Sequence, residues 1–76
     1  MDDEPRMADS AFRHGISVDD IRHAVRHPVL VIRQEEGFVM VIGAARSGLL
    51  LEIGFVEFRG GQMIVHAMRA RRKFMR

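Results

Sequence analysis

The chain reads as a small α+β domain, an N-terminal helix packed on a four-stranded antiparallel sheet. Two observations predict it. Apolar residues recur at helical spacing between Ser17 and His27, and from Val29 onward the period switches to that of strands. Four strand-like runs then follow with short turns between them, and short connections force antiparallel neighbours because parallel pairs need a long crossover.

Residues 1–9 are polar and aperiodic, a loose lead-in to a single domain over residues 10–76. Ser10 to His14 is expected to form a short helical turn before Gly15, so the helical layer is one helix or two short ones. Ser17 is a good N-cap, with Asp20 three residues on and Ile16 and Ile21 placed as a hydrophobic staple. Asp19 and Asp20 in the first turn, and Arg22, His23, Arg26 and His27 towards the end, suit the helix dipole. Pro28 stops the helix at about His27.

The strands are expected at Val29 to Glu35, Phe38 to Gly43, Leu49 to Phe58 and Gln62 to Met68. Glu36-Gly37, Ala45 to Gly48 and Arg59 to Gly61 are the turns between them. In the third run Leu49, Leu51, Ile53 and Phe55 form one apolar face, and in the fourth Met63, Val65 and Ala67 do the same. The other face gathers Leu50, Glu52, Gly54, Val56, Ile64, His66 and Met68, and a three-residue turn puts His66 opposite Gly54 and close to Glu52. Consecutive apolar residues in Leu49-Leu50-Leu51 and Val39 to Ile42 predict that something also covers part of that second face.

Composition narrows the possibilities. A chain of 76 residues buries only roughly 60% of its unfolded surface, so a 47% apolar content with no cysteine points to a partner or a second copy as the remaining support. No run approaches the ~20 apolar residues of a membrane span, and the acidic start at Asp2-Asp3-Glu4 is unlike a signal peptide; the cytoplasm is the default compartment. The net charge is only +2, but five of the twelve Lys and Arg residues fall between Arg69 and Arg76. Such a local patch, and not the total charge, favours RNA as partner, because arginine grips phosphate oxygens in a fork. The plainer reading is a solvated basic tail.

Glu52 and His66 then form a candidate acid–base pair with Arg69 to stabilise a phosphorane-like transition state, while His14, Arg46, Arg71, Arg72 and Lys73 are candidate RNA contacts. The plainer reading of Glu52 and His66 is two polar residues on a wet sheet face. His23 and His27 stand at i and i+4, but no carboxylate or cysteine joins them at ligand spacing; neither a metal nor another cofactor is expected.

Arg13-His14-Gly15-Ile16-Ser17, followed by Asp19-Asp20-Ile21, resembles the helix start of BrnT-type toxins, which belong to the RelE-like superfamily of type II toxin–antitoxin modules. The resemblance continues through Gly43 to Ile53 and ends in Met63 to Arg71, similar to the family's arginine-bearing final strand. His66 stands where serine or isoleucine is more typical, and little remains of the family's C-terminal helix. The resemblance implies a RelE-like toxin that cleaves messenger RNA and inhibits translation. It also implies a cognate antitoxin as partner; with the small apolar chain, the expected assembly is a homodimer or a hetero-oligomer with that antitoxin. The alternative is a non-catalytic module of the same fold that binds nucleic acid or protein.

Overall fold

The computed structural model describes residues 5–34 and 36–74. The acidic opening, Glu35 at the end of the first predicted strand, and Met75 and Arg76 at the end of the basic patch lie outside the described residues. The fold is α+β, with one helix packed on a five-stranded mixed sheet. Its elements are β1 (Arg6–Met7), α1 (Val18–Arg26), β2 (Pro28–Arg33), β3 (Phe38–Ala44), β4 (Leu50–Phe58) and β5 (Gly61–Arg69), in the spatial order β1-β5-β4-β3-β2. Two 3₁₀ turns accompany them, Asp9–Phe12 between β1 and α1 and Arg72–Phe74 after β5.

The four-stranded antiparallel sheet expected from the sequence is therefore one strand short. Within the expected lead-in, Arg6 and Met7 add to β5 in parallel, opposite Met63 and Ile64. Two residues carry no period, so tertiary bonds make this strand: the Ala8 amide donates to the Ile64 carbonyl at 2.9 Å and the Ser10 hydroxyl to the Val65 carbonyl at 2.7 Å.

α1 begins as its sequence dictates. The Ser17 side chain accepts from the Asp20 amide at 3.2 Å, and Ile21 and Ala24 turn wholly inward. The helix can lie this close to the sheet because β3 carries Gly43 beneath it, where an added Cβ would overlap the Ala24 carbonyl. Leu51, Ile53, Phe55, Ile64 and Ala67 complete this first core, together with Ala11 from the 3₁₀ turn. Met40 and Ile42 head a second, smaller core on the opposite sheet face, closed by Ala70 and Phe74.

The β4–β5 hairpin corrects two sequence expectations. Its turn has two residues, Arg59 and Gly60, both with positive φ, the type whose twist matches the flanking strands. Pairing therefore starts at Phe58 opposite Gly61 and runs to Phe55 opposite Ile64. Val65 then bulges out of the ladder, and the register resumes with Gly54 opposite His66. Below the bulge the faces are the reverse of those expected: Ile64 enters the first core, and Met63 sits opposite Val56 on the second face. Leu49 precedes β4 and is exposed, so it adds nothing to the core face.

Candidate functional site

Strand alternation sends Glu52 and His66 to the second sheet face, from neighbouring strands one pair apart. Gly54 separates Glu52 from the next side chain on that face, and the Phe38 ring and the His66 Cβ fill the space above it. His66 Nε2 lies 2.9 Å from Glu52 Oε2. A carboxylate can only accept, so this bond assigns the neutral ring's proton to Nε2 and leaves the lone pair on Nδ1.

The face is not wet at this point, as the plainer reading had it. The chain crosses back over it after β5, tied by the Ala70 amide to the Leu50 carbonyl at 3.0 Å, and Phe74 is buried against Met40 and Ile42. This crossing brings Arg71 onto Glu52. The Arg71 amide donates to Oε1 at 2.8 Å, Nε lies 3.1 Å from both oxygens, and Nη2 donates to Oε2 at 2.8 Å. Glu52 is completely inaccessible and is the one buried charged residue among those described, while the Arg71 side chain stays 45% exposed. Burial pushes the Glu52 carboxyl up, but the bonds and charge of Arg71, helped by His66, outweigh it and hold the carboxyl below its ordinary range. The same bonds raise Arg71 above the usual arginine value.

His14, just beyond the first 3₁₀ turn, presents its ring edge-on to His66 with centroids 5.6 Å apart. Sequence reasoning had assigned it only to RNA contact, yet it stands beside the carboxylate-held imidazole. The His66 side chain is 25% exposed and His14 is open to solvent.

The other candidates separate. Arg69 sits opposite Leu51, so alternation turns it towards the helix-bearing face and away from Glu52 and His66. Arg46 pairs with Asp20 of α1 at 3.3 Å across the exposed surface and lowers that carboxyl. Arg72 and Lys73 are exposed in the final 3₁₀ turn, where Lys73 Nζ and Arg71 Cζ lie 5.1 and 5.4 Å from the Phe74 ring centre. Phe74 is the residue the sequence reading passed over, although one large aromatic side chain among cations signals a segment that folds back. His23 and His27 stack at 4.1 Å, with their Nδ1 atoms 2.7 and 2.8 Å from the Ala44 and His23 carbonyls. Among the described residues no three His, Cys, Asp or Glu side chains converge as a metal-binding group. No helix among them is long and apolar enough to cross a membrane.

Comparison with known proteins gives no match to a family model, to a curated protein or to a solved structure.

Proposed function

We propose that the chain is the toxin of a type II toxin–antitoxin module and cleaves messenger RNA by internal transfer of its phosphodiester bonds. One observation carries this reading: a histidine held by a buried carboxylate faces a second, open histidine, and the same carboxylate binds a half-exposed arginine. RNA cleavage needs a base for the 2′-hydroxyl, an acid for the leaving oxygen and a cation for the phosphate. His66 Nδ1 takes the 2′-hydroxyl proton, and the 2′-oxygen forms a new bond to phosphorus. The bond from phosphorus to the 5′-oxygen breaks, and protonated His14 supplies that oxygen with its proton. The products are a 2′,3′-cyclic phosphate and a free 5′-hydroxyl. In this scheme Glu52 is a positioning residue that fixes the His66 ring, and Arg71 reaches the phosphate with its exposed side.

The resemblance of the Arg13 to Ser17 segment and of the final strand to BrnT-type toxins supports the same reading. An acidic antitoxin that covers Arg69, Arg71, Arg72 and Lys73 would deny RNA the same charges.

A second reading has its own support. Glu52 is wholly engaged by Arg71 and His66 and offers no free carboxylate, which suits a binding module that holds RNA without cutting it. Incubation of the purified chain with RNA in EDTA separates the two. The toxin reading expects cyclic-phosphate ends that vanish in His66→Ala and His14→Ala. Intact RNA bound in a salt-dependent way by folded protein would overturn cleavage and establish the binding module.

A further inference from the structure

Among the described residues β2 is an open edge of the sheet, and its pattern fits a second copy of itself. The Gln34 amide donates to the Phe38 carbonyl at 3.1 Å, so alternation directs the backbone groups of Ile32 and Leu30 towards β3 and those of Val31 and Arg33 outward. Val29, Leu30 and Val31 are 66%, 44% and 55% exposed, a run of apolar side chains along an unpaired backbone. Edges that stay single are commonly blunted by charges within the strand, by proline or by a bulge. Here Pro28 and Arg33 only bracket the apolar run, and the one irregularity, at Val29, leaves the stretch from Leu30 to Arg33 in regular register.

The charges at its C-terminal end choose the occupant. Arg33 ends the strand, and Glu36 lies exposed in the turn after it. A parallel neighbour would bring like ends together, whereas an antiparallel copy brings opposite ends together. The edge itself holds one cation in an apolar run, a poor match for an acidic strand and a good one for its own sequence.

We propose that β2 pairs antiparallel with β2 of a second copy about a two-fold axis at Val31, which joins the two sheets into one. Val31 exchanges both backbone bonds with Val31 of the partner subunit. Arg33 falls opposite Val29 of the partner subunit and not opposite another arginine. The pairing gives a 76-residue chain the additional burial that its own core cannot supply. It rests on the edge alone and is independent of any RNA chemistry.

Light scattering and sedimentation of the purified full chain and its variants test it. The wild type should be a dimer. Val31→Lys and Val31→Glu should each be folded monomers, because each sets like charges against one another at the axis, and mixing the two should restore a dimer. Should position 31 not tolerate a charge, Val29 gives the same test: Val29→Lys, facing the partner's Arg33, should yield monomers, and Val29→Glu a tighter dimer. A wild type that stays monomeric, a Val31→Lys, Val31→Glu or Val29→Lys variant that stays dimeric, or Val31 Lys and Glu variants that fail to recombine would overturn the pairing.

Discussion

Arg71 holds Glu52 through its main-chain amide and its guanidinium at once, so the crossing whose Ala70 and Phe74 close the second core also brings a cation to the one buried charge among the described residues. Removing one partner of a buried pair strands the other, which typically costs about 3–5 kcal/mol. Arg71→Ala leaves the wholly buried carboxylate with only His66 and a backbone amide and should lose stability of that order, a large share of the roughly 4–11 kcal/mol expected for a domain of this length. Glu52→Ala should cost less, because the arginine it leaves is half exposed and water solvates it. Urea unfolding of both variants checks the order; equal losses would contradict it.

Acid should weaken the fold through the same carboxylate. Burial alone would raise Glu52, but Arg71 and His66 lower it in the folded state below its unfolded value. Such a group contributes its full stability above the ordinary glutamate range, about 4.3, and loses that contribution as pH falls towards the lowered folded value. Urea midpoints measured from neutral pH down to about 3 should therefore fall more steeply in the wild type than in Glu52→Gln. Parallel curves would assign the acid response to other groups.

Gly43→Ala tests how closely α1 lies on the sheet. The new methyl group would overlap the backbone carbonyl of Ala24, and neither element can move it aside by a rotamer change. Overpacking of this kind costs about 1–3 kcal/mol and often more. The expected signature is a lowered Tm with faster amide exchange along Val18–Arg26.

His66→Ala and His14→Ala should each reduce RNA cleavage by about 10²–10⁴-fold if they share the proton transfers, with little change in Tm for His14, which is open to solvent, and a larger drop for His66, whose ring bonds the buried Glu52. Arg69→Ala, on the other face, should weaken RNA binding without altering the cleavage step. Comparison of kcat with KM on a short RNA separates these effects. A drop in kcat for Arg69→Ala as large as for His66→Ala would place the reacting phosphate elsewhere.

Local signals made much of this legible. The Ser17 cap, the Pro28 stop and the turn residues act within a few positions of themselves, so α1 and strands β2 to β5 fall close to where their sequences put them. The pairing of His66 with Gly54 was legible too, although by a different route from the one the strand takes. β1 was not, since two residues gain strand character only from partners more than fifty positions away. The role of Arg71 was hidden for a similar reason. Charge density marks the segment after Met68 as basic, but only the buried Phe74 shows that it folds back over the sheet.

The tight Arg59-Gly60 turn and the extra residue at Val65 cancel one another in length. A chain with one more residue in that turn and an unbroken strand would hold the histidine opposite the same glycine. Insertion at the hairpin and deletion at the bulge are thus a matched pair, and a descendant that acquired both would look shifted by one position between them. Aligned without gaps, the whole stretch from the turn to the bulge would be assigned to the wrong face of the sheet. A search for relatives of this chain should let the hairpin breathe by one residue and anchor on the stretch from His66 to Arg71.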